Sequence, residues 1–150
     1  MRAELAQAVG ALLGTVSDET VKLTDGETDL IGALADVVTL ARTAVERDYR
    51  GEVIDAHAPE MPTRFAKQLA MIVKGALTLG TDRPRALGLA VRCARDSVPP
   101  LRLAALADVH THPTTIMHAV RVRLDKPRTT VDQTLQCLHA LGLVTVDEDV

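Results

Sequence analysis

Aromatic residues are nearly absent: Tyr49 and Phe65 make up 1% of the 150 residues, and there is no tryptophan. Single-strand nucleic-acid binders that stack bases on aromatic platforms need more rings than this. Cysteine is scarce too. Cys93 and Cys137 fall inside helical patterns rather than at loop spacings, so they read as reduced, packed thiols of a cytoplasmic protein. No apolar run approaches the roughly 18 residues that span a bilayer, and Met1–Gly10 has no signal-peptide pattern, so no membrane partner is expected. No G-x-x-x-x-G-K-[ST] string occurs, so nothing in these residues cradles nucleotide phosphates. No repeat of solenoid length is present.

Nor is there an excess of one charge, since 17 Lys+Arg against 20 Asp+Glu leave −3. The charge is unevenly spread. Residues 1–60 carry −7, 61–98 carry +5 and 99–150 carry −1. Such a chain repels polyanions at one end and attracts them further along.

What is present is mostly helix. Met1–Leu13 places Leu5, Val9, Leu12 and Leu13 on one stripe, a candidate dimerisation element, and the polar run Thr15–Thr20 breaks it. Thr24-Asp25-Gly26-Glu27 has capping-box spacing and opens a helix to about Arg42, with Leu30, Leu34, Val37 or Val38, and Ala41 as its apolar stripe. The polar stretch Thr43–Glu60 holds strand composition at Glu52–Ala56. Pro62 fits a first helical turn, followed by Phe65, Leu69, Ile72, Val73 and Ala76 up to Gly80. Thr81 or Asp82 caps the next helix, in which Leu87, Leu89, Val91 and Ala94 are expected to pack. Ser97-Val98-Pro99-Pro100 marks a boundary. The expected domains are therefore a helical region, 1–97, and a smaller unit, 98–150.

Three helical patterns follow that boundary. The first is Leu101–Asp108; His110–Pro113 reads as a turn. Thr114 or Thr115 caps a second helix, with Ile116, Val120 and Leu124 buried, and Asp125-Lys126-Pro127 makes a tight connection. The third is Arg128–Ala140, with Val131, Leu135 and Leu138 on one face. Gly142 suits a left-handed C-cap, and Leu143–Val146 has strand composition. Two helices joined by about three residues, the second polar in its first turns, match a helix-turn-helix.

The string Lys126–Val144 resembles the recognition helix and first wing strand of winged helix-turn-helix regulators, nearest to the arsenic-repressor-type bacterial families. The resemblance covers residues 99–150. It implies a transcriptional regulator that binds double-stranded DNA, with the third helix in the major groove and a homodimer as the usual binding form. Arg128 and Lys126 would meet phosphates. Thr129 and Thr130 suit phosphates or a thymine methyl, Gln133 suits adenine, and Gln136 lies one turn further on. Arg121 and Arg123 on the preceding helix suit the DNA backbone. Eight residues after Gly142 leave no room for a return strand, so the wing is expected to be incomplete, and Asp147-Glu148-Asp149 would repel phosphate.

Residues 25–98 bear a fainter resemblance to the helical lid of AAA+ ATPases of the minichromosome-maintenance type, carried by Glu60–Leu69 followed by Asp82–Ala94. It implies a γ-phosphate contact for Arg64 and an ATPase core as partner. The missing phosphate-binding loop means these residues hydrolyse nothing alone, leaving the tail of a larger P-loop ATPase as one alternative function. A non-catalytic module docking on protein through the same third helix is another.

Other constellations are weak. His110, His112, His118 and Cys137 match no standard zinc spacing, so no metal or cofactor is expected. Asp55, His57 and Glu60 sit close in sequence, but in a polar connector rather than a demonstrable pocket, and no enzyme activity is expected. The basic residues Arg64, Lys67, Lys74, Arg83, Arg85, Arg92 and Arg95 could extend a DNA surface or pair with the acidic first third.

Overall fold

The computed structural model describes residues 2–14 and 21–146. The polar break at Thr15–Thr20 and the acidic end Asp147-Glu148-Asp149 lie outside the described residues. The chain is mainly helical, as expected. Among the described residues, seven helices and one two-stranded sheet follow in the order α1 (Arg2–Gly14), α2 (Asp25–Arg42), β1 (Val45–Arg47), β2 (Val53–Ala56), α3 (Pro62–Thr78), α4 (Arg83–Asp96), α5 (Pro100–Thr111), α6 (Met117–Leu124) and α7 (Arg128–Ala140). Residues group into two compact units, Met1–Ala35 with Thr63–Ala94, and Asp36–Pro62 with Arg95–Val150. Where the sequence suggests one break near residue 97, the chain thus passes between the units three times.

In the first unit, α2 opens on the expected capping box. The Glu27 carboxylate accepts from the Thr24 amide at 2.8 Å, and the Thr24 hydroxyl accepts from the Glu27 amide at 3.3 Å. One nitrogen of the Arg83 guanidinium, Nη1, also donates to both carboxylate oxygens of Glu27, at 2.7 Å each. The Arg83 hydrogen bonds, and then the Thr24 amide, hold the Glu27 carboxyl below its ordinary range.

The buried stripe of α2 matches the expected one at Val38 and Ala41 and is one position away from it in the first half, where Ile31 and Ala35 take the places of Leu30 and Leu34. Ile31, Ala35, Val38 and Ala41 are buried, while Leu30 and Val37 face solvent. Helix α3 buries Phe65, Leu69, Val73 and Ala76, leaving Ile72 at the surface. Helix α4 corrects the sequence reading more sharply. Ala94 is buried as expected, but the other buried residues are Ala86 and Ala90, with Leu87 and Val91 half-buried and Leu89 exposed. A stripe of methyl groups lets a neighbouring backbone come close, and the larger side chains are displaced to the flanks. Helix α1 forms as expected but buries none of its residues, so its stripe is not part of this core.

The second unit contains the end of α2, the hairpin, and α5, α6 and α7, which pack on one another. Val98, Ala105, Val120, Val131, Cys137, Leu138 and Leu141 form its core. Ile116 is exposed rather than buried, and Thr134 and Cys137 take the inward positions next to Val131 and Leu138 while Leu135 is half-buried. Strands β1 and β2 pair antiparallel, with an irregularity between Glu46 and Arg47. The turn is tied by Asp48, whose carboxylate accepts from the amides of Arg50 and Glu52 at 2.8 Å each. Gly51 sits at φ +85°, a conformation that favours glycine.

Among the described residues no strand follows α7. Gly142 does adopt positive φ, +70°, and the Leu143 amide reaches back to the Leu138 carbonyl at 2.9 Å, closing α7 as foreseen. Leu143–Val146 then continues without strand pairing. The sheet of this unit lies upstream in sequence, at the place where strand composition was noted within residues 52–56.

Candidate functional site

Helices α6 and α7 are joined by Asp125, Lys126 and Pro127. Asp125 ends α6 in the left-handed region, φ 50°, its amide reaching the carbonyl of Val122. Asp tolerates this conformation better than most residues. Pro127 precedes α7, which spans Arg128–Ala140 as the sequence predicts. Helix α6 starts later than expected, at Met117, and Ile116 rather than a threonine stands at its cap. Thr115 instead accepts a hydrogen bond from Arg123 at 2.8 Å.

The eight side chains singled out for DNA do not share one fate. Lys126, Arg128 and Thr129 are exposed around the turn, and Arg121 is half-buried on the preceding helix. None of the three cations has an ion pair among the described residues. Thr130 is half-buried, and its carbonyl accepts from the Thr134 hydroxyl at 2.7 Å.

Arg123 is committed elsewhere. Its guanidinium makes a two-point contact with Asp108 on α5, at 2.6 and 2.7 Å. The Asp108 side chain is only 7% exposed. Hydrogen bonds from Arg123, its charge, and that of His112 lower the Asp108 carboxyl, and the same pairing raises Arg123. This is a brace between α5 and α6, so a backbone-contact role for Arg123 would require breaking it.

Gln133 and Gln136 are exposed but lie beside the hairpin, a neighbour the sequence does not reveal. Arg47 of β1 donates to the Gln133 carbonyl at 2.6 Å, to the Gln136 side-chain oxygen at 3.1 Å and to the Cys137 sulfur at 3.1 Å. It also donates to the Gly51 carbonyl. Gln136 in turn donates to Asp132 at 3.3 Å. The hairpin segment 45–56 bears four carboxylates, Glu46, Asp48, Glu52 and Asp55, against Arg47 and Arg50. Its tip presents Tyr49, 89% exposed, with the Arg50 guanidinium 5.2 Å from the ring centre.

A second arginine missed from sequence, Arg102 on α5, donates to the carbonyls of Ala41 and Thr43 at 2.9 and 2.7 Å. It satisfies acceptors that the end of α2 leaves open. Apolar periodicity marks neither Arg47 on β1 nor Arg102 on α5, and their acceptors lie far away in sequence, so neither arginine gives a local signal.

The remaining candidates do not assemble. His57 and Glu60 line an open depression with Thr39, Arg42 and Thr43, but Glu60 is paired with Arg42. The Asp55 carboxylate accepts from the Ala56 amide at 2.8 Å. His112 lies against the Asp108 carbonyl at 3.1 Å. No three His, Cys, Asp or Glu side chains converge as a metal site among the described residues. Neither Cys93 nor Cys137 is in a disulfide. Arg64 is exposed on α3 and has no ion pair among the described residues. No helix of the described residues is long and apolar enough to cross a membrane.

Comparison with known protein families, with curated proteins and with solved structures finds no match to this chain.

Proposed function

We propose that the second unit binds double-stranded DNA through the α6–turn–α7 element, as a regulator of transcription would. The observation that supports this reading is the cluster of cations at the turn that have no ion pair among the described residues. Lys126 and Arg128 stand exposed where a helix entering the major groove needs them, and Arg121 adds charge beside them. Thr129 supplies a short hydroxyl for phosphate or base contact in the first turn of α7. The leading edge is thus the N-terminal half of α7. Gln133 remains available at its margin, whereas Gln136 is shared with Arg47 and Asp132, and Arg123 acts as a brace.

One observation favours the other class of partner, protein. The hairpin beside Gln133 and Gln136 has a net formal charge of −2 from its four carboxylates and two arginines, which repels phosphate on that side of α7. In that reading the turn cations dock on acidic groups of a partner protein whose neighbouring surface is basic or neutral where it meets the hairpin carboxylates and Tyr49.

Fluorescence anisotropy on mixed-sequence duplex, titrated with salt, separates the two. The full chain is compared with Lys126→Ala/Arg128→Ala. The DNA reading expects log affinity to fall steeply with log salt, and the double variant to flatten that slope by about two phosphate contacts' worth. Absence of binding at low salt overturns it.

A further inference from the structure

Helix α7 turns an uncharged polar ridge outward. Thr129, Gln133, Gln136 and Ala140 are exposed, and at 3.6 residues per turn they fall within about 60° of one another around the helix. Side-chain amides on such a ridge suit base edges, which offer donors and acceptors without net charge, better than they suit phosphates. Gln133 and Gln136 stand about 4.5 Å apart along the axis, against about 3.4 Å between successive base pairs. A tilted helix therefore sets them opposite adjacent pairs.

The two amides differ in what they have left to offer. The side chain of Gln133 makes no hydrogen bond among the described residues. It rests beside Gly51, where an added Cβ would lie 3.5 Å from its Nε2. Gln136 is committed at both ends: its oxygen accepts from Arg47 Nη1 at 3.1 Å, and its nitrogen donates to Asp132 at 3.3 Å. Chemistry fixes that orientation, because a guanidinium only donates and a carboxylate only accepts. Arg47 is itself half-buried and held by the Gln133 and Gly51 carbonyls and the Cys137 sulfur. All these residues belong to the second unit. One N–H of Gln136 stays without a partner, while any further donor to its oxygen would have to enter beside the Arg47 guanidinium.

We infer that the two glutamines read different bases, Gln133 an adenine and Gln136 a neighbouring guanine, with Arg47 as the positioning residue. The inference rests on the DNA reading of α7. Adenine presents an acceptor, N7, beside a donor, N6, and takes a free amide by both ends. Guanine presents two acceptors, N7 and O6, and suits an amide that has only an N–H to give. Thymine offers one acceptor crowded by its methyl group, and cytosine offers only a donor, which leaves that N–H unmet. By residue type alone both glutamines suit adenine. The difference comes from Arg47, 89 residues before Gln136.

Selection from a duplex library with about 20 randomised base pairs, two helical turns, compares the full chain with Gln136→Ala and Arg47→Ala. Circular dichroism checks that helix content is kept. The wild type is expected to enrich adenine at one position and guanine within one or two pairs of it. Exchanging that guanine for cytosine should weaken binding by about tenfold. Gln136→Ala keeps the adenine and loses the guanine preference. Arg47→Ala turns the guanine position into a second adenine, because the freed oxygen completes the two-point pair; a merely structural role would weaken both positions together. Gln136 is exposed, so its variant decides even where Arg47→Ala fails to fold. Selected sites without the guanine, or a guanine that survives Gln136→Ala or a folded Arg47→Ala, overturn the inference and leave the DNA reading standing. Retention of no duplex by any of the three proteins overturns both.

Discussion

The guanidinium of Arg47 donates a 2.6 Å hydrogen bond to the main-chain carbonyl of Gln133, 86 residues later in the chain. With its bonds to Gln136, Cys137 and Gly51, it fixes the hairpin to the flank of α7.

Arg47→Ala is expected to destabilise the protein by about 1–3 kcal/mol, because several acceptors lose a charged donor at once. Arg47→Lys should recover only part of this, since an ammonium does not reproduce the planar fork. Urea denaturation of both variants checks the order wild type, Lys, Ala. Equal stability of Lys and wild type would mean that charge alone holds the hairpin.

Arg123→Ala and Arg128→Ala should separate stability from affinity. Removing Arg123 leaves the Asp108 carboxylate, 7% exposed, without its fork, so thermal stability falls while the salt slope of DNA binding is kept. Removing Arg128 does the reverse, flattening the slope by about one phosphate contact with little change in stability. Differential scanning calorimetry and anisotropy on the same preparations test the pair.

Acid sensitivity should trace to Glu27 and Asp108. Both carboxyls lie below their ordinary values of 4.5 and 3.8 in the folded chain. Unfolded chains therefore take up these protons first as pH falls. The stabilisation is complete above about pH 5 and is lost progressively as pH drops through the folded-state values. Glu27→Gln should lower stability at neutral pH and flatten its decline below about pH 5. Denaturant midpoints measured across that range test it, and an unchanged acid slope would remove Glu27 from the account.

The hairpin contains an unfavourable pair. Glu46 on β1 stands directly opposite Asp55 on β2, and like charges so placed repel. Glu46→Lys should stabilise by about 0.2–1 kcal/mol, visible as a raised melting temperature that shrinks with added salt.

These contacts also show which parts of the fold were legible from sequence. The bounds of α7 were readable because Pro127 and Gly142 punctuate it locally, and the capping box at Thr24 and Glu27 because both partners lie within one turn. Arg47 and Arg102 gave no signal, since their acceptors are main-chain carbonyls far away in sequence. On α4 Ala94 is buried as expected, but Ala86 and Ala90 share its inward face in place of the larger Leu87, Leu89 and Val91, because helix periodicity does not tell small inward residues from large flanking ones. Of the candidate site, the turn cations were identified as exposed polar positions. The bracing role of Arg123 depends on Asp108, 15 residues away, and only the folded arrangement of α5 and α6 brings them together.

The interleaving of the two units bears on how the protein is made. Arg47 leaves the ribosome 90 residues before Cys137, roughly 5–20 seconds earlier at ordinary translation rates. During that interval the nascent hairpin has no helix to rest on, and α2 waits likewise for α3 and α4. The first unit can close only once residue 94 has been added, and the second only once α7 is complete at Ala140. Over those intervals the apolar face of α2 stays open to chaperones.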